Sequence, residues 1–134
     1  MSTRRFTPAE ADRCLSLVRP VAADVRRHYL ILRRDLSALR DLDLLGGVTS
    51  DAAVPPAVAA RLAELRACLA ELRDVGAVLL DPEIGLVSLP GTLPEGRSVQ
   101  FCWKLGEVRV RFWFPVGGCY ADRRPIPRAA PAAI

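Results

Sequence analysis

The chain has 134 residues, 51% of them hydrophobic and 25% charged. That balance suits one folded domain, residues 1–134, rather than a disordered chain. No apolar run approaches the roughly 18 residues of a membrane-spanning helix. The opening Met1-Ser2-Thr3-Arg4-Arg5-Phe6 lacks the apolar stretch of a secretion signal, so no membrane partner and a cytoplasmic location are expected. The net charge is +4, carried by 18 Arg and the single Lys104 against 15 acids. It divides evenly, at +2 for residues 1–80 and +2 for residues 81–134, so there is no basic tail.

The first helix opens on Thr7-Pro8-Ala9-Glu10, a capping box with Pro at the first helical position. Phe6 stands where a hydrophobic staple would. Apolar residues then recur every 3.5 positions at Leu15, Val18, Ala22, Val25, Tyr29, Leu32, Leu36 and Leu39, the pattern of a coiled-coil seam. Pro20 falls inside it. Because the seam stays in phase across Pro20, a kink is expected rather than a break. The helix should run to about Leu44, roughly 55 Å if straight, and stop at Gly46-Gly47.

A loop from Val48 to Pro56 leads to a second helix, expected over about Pro56 to Leu79. Its seam is Val58, Leu62, Leu65, Leu69, Leu72, Gly76 and Leu79. Two in-phase heptad helices joined by a short loop predict an antiparallel helical hairpin over residues 6–80. Asp81-Pro82-Glu83 ends the helical part. Gly85 to Leu89 reads as a short strand and Pro90 to Gly96 as a loop.

Val99–Leu105 and Val108–Phe114 both alternate at period two, with Gly106-Glu107 between them as a two-residue turn. That register puts Val99, Phe101, Trp103 and Leu105 on one face with Val108, Val110, Phe112 and Phe114. Gln100, Cys102, Lys104, Arg109, Arg111 and Trp113 then share the other face, toward water or a ligand. Trp103 and Phe112 are expected in the core. The β element spans residues 81–126, and the Pro/Ala-rich end, 127–134, is expected to fray. The fold class is therefore α+β: a long, coiled-coil-like helical hairpin packed with a small antiparallel hairpin or sheet.

Two helices and a small hairpin leave apolar surface uncovered. Cys14, Leu17, Val21, Ile31, Ala38 and Leu42 flank the first seam, and Ala60, Ala63, Ala67 and Ala70, with Asp74 and then Ala77, flank the second. Small residues at this spacing permit close helix approach, which points to a homodimer. Alanine on a wet face is the plainer alternative. Arg19, Arg26, Arg33 and Arg40 form a basic stripe seven residues apart. It would meet phosphates of a nucleic acid or an acidic partner, or stand as a solvated face beside Asp12, Asp24, Asp35 and Asp41.

Several motifs resemble an uncharacterised prokaryotic family, domain of unknown function (DUF) 2203. They are Phe6-Thr7-Pro8-Ala9-Glu10-Ala11, Val18-Arg19-Pro20, Leu80-Asp81-Pro82, Gly85-Leu86-Val87, Cys102-Trp103-Lys104-Leu105-Gly106-Glu107 and Arg123-Arg124-Pro125-Ile126. The resemblance covers about residues 5–126 and implies long helices with a small β element, without an activity. It also implies an Asp where this chain has Ser88, a His at Phe114, and glycines at Cys119 and Asp122. Of an Asp, Glu and His set suited to binding a metal or to acid–base work, only Glu107 is present here.

The candidate chemistry is thin. Cys14, Cys68, Cys102 and Cys119 include no C-x-x-C pair, and His28 is the one histidine. No metal and no cofactor are expected, and the thiols should be free. His28 is four residues after Asp24, a local helix pair. Glu107 is either a solvated turn residue or a partner for Arg123, Arg124 or a ligand. Cys102 lies beside Lys104 and Arg109 but lacks a nearby base. Trp113, alternating with Arg109 and Arg111, suits stacking on a partner or covers a helix end. The expected function is a homo-oligomeric binding or assembly module without catalysis. The alternatives are a pocket for a ligand or substrate around Glu107, Cys102 and Arg124, and weak nucleic-acid binding through the basic stripe.

Overall fold

The computed structural model describes residues 4–44 and 55–128, without the side chains of residues 38–44. The expected Gly46-Gly47 stop and the loop as far as Val54 lie outside the described residues, as do the side chains of Ala38, Leu39, Arg40 and Leu42. Of the expected tail, Pro127 and Arg128 are described.

Helix α1 spans Pro8–Leu44 and α2 spans Pro56–Val75. The capping box of α1 forms as the sequence predicts. Thr7 N–H donates to Glu10 Oε1 at 2.8 Å, and Glu10 N–H donates to the Thr7 hydroxyl at 3.2 Å. Phe6 and Ala11, the two staple positions, are both fully buried. The helix continues through Pro20, so no break occurs there. Ala11, Leu15, Val18, Ala22, Val25 and Leu32 are buried along one stripe.

Two seam positions of α1 differ: Leu36 is exposed, and Tyr29 gives its buried place to His28. His28 is buried, whereas Tyr29 is half-buried beneath the Arg33 guanidinium. His28 Nδ1 lies 3.0 Å from Arg61 Nη1 and 3.5 Å from Glu64 Oε2, both on α2. Its partners are therefore across the helix interface, not Asp24, which pairs with Arg27 at 3.3 Å. Buried polar groups need partners, and α2 supplies them. On α2, Val58, Leu65 and Leu72 are buried, with Leu62 and Leu69 packed beside them.

Helix α2 ends four residues earlier than expected. Gly76 adopts a φ of +101°, Gly76 N–H donates to Arg73 O, and Ala77 N–H donates to Leu72 O. This is a Schellman stop, which favours glycine because it has no Cβ to clash. Phe6 sits against this glycine, 3.3 Å from where a Cβ would stand. Gly76 therefore ends the heptad pattern, and Leu79 belongs to a strand.

The strands are β1 (Val78–Asp81), β2 (Leu86–Thr92), β3 (Ser98–Lys104), β4 (Phe112–Pro115) and β5 (Arg124–Pro125). They form a five-stranded antiparallel sheet in chain order. Strand β2 runs through Pro90, which was expected in a loop. Pro90 O accepts from Phe6 N–H, and Thr92 N–H donates to Phe6 O. The nitrogen of Pro90 thus faces the short Phe6 bridge and not β3, so no ladder bond is lost. Gly91 lets Phe101 cross it, since a Cβ there would lie 2.5 Å from the ring.

The expected two-residue hairpin is not what forms. Phe101 pairs with Trp113 and Cys102 with Phe112, one residue out of the expected register. A one-residue slip exchanges the faces of a strand. Trp113 is therefore buried on the helix-facing side, while Phe112 and Phe114 lie on the outer side with Cys102 and Leu86. The turn closes as Lys104 to Glu107, with Gly106 at φ +106°. Residues 107–111 then leave the sheet and cross to α1, where Val110 is fully buried and Val108 is 87% exposed.

One apolar cluster runs through α1, α2 and the inner sheet face, including Phe6, Leu72, Val87, Leu89, Phe101 and Trp103. Burying side chains of this size stabilises by about 1.5–3 kcal/mol each. The outer face carries a second, smaller cluster of Leu86, Cys102 and Phe114, flanked by Phe112 and Tyr120.

Candidate functional site

The outer sheet face gathers part of the expected set. Cys102 Sγ lies 3.6 Å from Phe112 O. Burial pushes its thiol up to about 12, with Glu107 adding to the shift and Arg123 opposing it. That holds Cys102 as a thiol and makes it a poor nucleophile. Arg123 lies over the Tyr120 ring at 4.1 Å and the Phe112 ring at 5.6 Å. Glu107 accepts the Lys104 N–H at 2.8 Å, and its carbonyl accepts the Trp103 indole N–H at 2.8 Å. The carboxylate therefore caps the end of β3.

Arg124 is elsewhere. It pairs with Trp113 across β4 and β5, 5.8 Å over the indole ring, on the inner side. Trp113 Nε1 donates to Pro125 O at 3.2 Å. The structure thus groups Glu107, Cys102 and Arg123, and separates Arg124, Trp113 and Arg109 from them. Ser88 pairs with Cys102, and Phe114 shares the outer face. Among the described residues no three His, Cys, Asp or Glu side chains are grouped to hold a metal ion.

A larger concavity opens on another side. A cleft of about 810 Å³ lies between the first turn of α1, the 107–111 crossing and the segment after β5. Thr7, Pro8 and Ala9 form one wall. Arg109, Arg111 and Arg128 supply its charge, and no acid lines it among the described residues. Asp12, behind the wall, binds Arg128 Nη1 at 2.7 Å and accepts the Val110 N–H at 2.8 Å. Arg128 also donates to Val110 O. The backbone between Arg109 and Arg111 is therefore held at both its N–H and its C=O.

The family described as "Uncharacterized conserved protein (DUF2203)" matches residues 4–126. The chain belongs to the DUF2203 family. No curated protein and no solved structure matches it.

In this DUF2203 member the basic stripe of α1 has structural partners. Arg19 Nη2 donates to Val108 O at 3.2 Å and lies over the Trp103 ring. Arg26 Nε donates to Glu83 O at 2.9 Å, and Arg33 Nη1 meets Glu83 Oε1 at 3.1 Å. Heptad spacing aligns these heads along one edge of α1, and they tie the sheet's loops to it. Pairing with Glu83 also pushes the Arg33 guanidinium further up.

The cleft was not visible in the sequence as a unit. Arg109 was a candidate, but as a neighbour of Cys102. Alternation puts Arg111 only on the polar hairpin face, and Arg128 falls in the Pro/Ala-rich end. The alternation Arg109-Val110-Arg111 was the one available signal, since a buried Val110 fixes its two neighbours.

Proposed function

We propose that this DUF2203 member is a small cytoplasmic binding or assembly module, without catalytic activity, that works as a homo-oligomer. The carrying observation is the apolar surface left bare on the helices. Leu17 is 60% exposed and Leu36 48% exposed on α1. Ala60, Ala63, Ala67 and Ala70 are exposed on α2. The two helices are taken as an antiparallel, coiled-coil-like hairpin. Phe6 against Gly76 and His28 against Arg61 and Glu64 support that arrangement. Such a pair leaves one long face for a second pair. The absence of catalysis is supported by Glu107 and Cys102, whose reactive groups serve the fold.

Light scattering at micromolar concentration tests this. The expected result is a mass of two chains, reduced toward one by Ala63→Glu with Ala67→Glu. A monomeric wild type would overturn the assembly reading. Nucleic-acid binding has less support, because Arg19, Arg26 and Arg33 already hold the sheet's loops. A salt-dependent mobility shift with RNA or DNA, lost on Arg26→Ala with Arg33→Ala, would restore it.

A further inference from the structure

We propose that the cleft beside the start of α1 is a binding site for a small organic anion, one with a phosphate or carboxylate head and an apolar body. This goes beyond the assembly reading and holds whether or not the chain self-associates.

The charge comes from Arg109 and Arg111. Both are exposed, and among the described residues neither side chain makes a hydrogen bond or ion pair. The Arg111 guanidinium lies 5.7 Å from the centre of the Phe112 ring. Arg128 differs, because Asp12 compensates its charge. Arg109 and Arg111, without a side-chain charge partner among the described residues, therefore both line one concavity. A cleft lined by one sign of charge concentrates counter-ions, and a guanidinium offers a planar fork matched to carboxylate and phosphate oxygens.

The rest of the lining sets the other end of the ligand. Pro8, Pro94, Pro125 and Pro127 make up much of the wall. Proline carries no N–H donor and has a fixed φ, so these walls are apolar and stiff. They suit a flat or compact apolar body and offer a sugar or polyol little to hydrogen-bond. The α1 N-terminus adds little charge, since its capping box already engages Thr7 and Glu10.

The site is also held in advance. Val110 is anchored at both backbone groups by Asp12 and Arg128. The Arg111 carbonyl accepts the Ile126 N–H at 2.9 Å, which ties the crossing to the segment after β5. Arginines on a fixed backbone lose less freedom on binding.

Calorimetric titration of the full chain with phenyl phosphate, benzoate and phenol tests the proposal. One or both anions should bind saturably at one site per chain, and phenol should not. Tighter phenyl phosphate would identify a phosphate ester, and tighter benzoate a carboxylate. Arg109→Gln with Arg111→Gln should weaken the anion at least tenfold, while Arg66→Gln, exposed on α2, should leave it unchanged. Arg109→Gln alone, at an exposed side chain, should weaken it several-fold and guards against misfolding of the double variant. Failure of both anions to bind, equal affinity in the cleft variants, or an equal loss in Arg66→Gln would each overturn it.

Discussion

Arg128 and Asp12, 116 positions apart in the chain, meet at 2.7 Å and together hold the backbone of Val110. Both side chains are about three-quarters buried. The contact closes the segment after β5 over α1 and gives the 107–111 crossing its fixed course. Asp12→Ala removes the acceptor for Val110 N–H and leaves Arg128 without its charge partner. It should lower stability by about 2 kcal/mol, the scale of hydrogen bonds to charged groups. Urea unfolding of Asp12→Ala, Arg128→Ala and the double variant measures it. The cycle should show a coupling above about 0.5 kcal/mol, and additive losses would contradict the contact.

Gly91 is the tightest point of the sheet. Phe101 crosses it so closely that a methyl group would stand 2.5 Å from the ring. Gly91→Ala should cost about 1–3 kcal/mol or more through overpacking. Thermal unfolding reads the loss. Placing Gly91→Ala in a Phe101→Leu background should recover part of it, because the crossing ring is then absent.

The four thiols should differ in reactivity. Cys119 is exposed, Cys14 and Cys68 are half-buried, and Cys102 is buried. Burial also raises Cys14 and Cys68 above their ordinary value. A thiol reagent on the folded protein should label Cys119 first and Cys102 last. Labelling of Cys102 at the rate of Cys119 would contradict its placement on the covered outer face.

Cys102 also predicts an alkaline limit. Its folded value of about 12 lies above the ordinary 9.0, so the fold favours the neutral thiol. The contribution is present below about pH 9 and is lost as pH rises from 9 toward 12, where the unfolded chain ionises first. Denaturant midpoints measured across that range should fall less steeply in Cys102→Ala than in the wild type.

At the other end of the scale, Glu10 is held below its ordinary 4.5, first by the Thr7 backbone N–H and then by the Thr7 side chain. Its contribution is present above pH 4.5 and is lost as pH falls through the lowered value. Glu10→Gln should flatten that part of the acid unfolding profile. Thr7→Ala should cost about 1 kcal/mol near neutral pH, as the loss of a helix cap does.

The helices were largely legible because their signals are local. A capping box satisfies specific N–H groups within one turn, and a 3.5-residue apolar period needs only its own chain. Burial of Leu15, Val18, Ala22, Val25 and Leu32 follows from it. The exchange at His28 and Tyr29 was not legible, because the partners of His28 stand on α2. The early end of α2 was legible in principle. Gly76 falls on the seam period, and a glycine after Arg73 is also a stop signal.

The sheet divides differently. Alternation located β3 and part of β4, but the expected Gly106-Glu107 turn set their register one residue off. Phe112, Trp113 and Phe114 are all large and apolar, so either face would have looked satisfactory. By itself the sequence determined two long amphipathic helices, a β element after them, and a chain with no zinc-like spacing. Only the tertiary structure decided which face Trp113 takes, that Arg128 returns to Asp12, and that Arg109 and Arg111 line one cleft. Those outcomes depend on contacts between distant segments, and a local period carries no information about which distant group will be there to meet it.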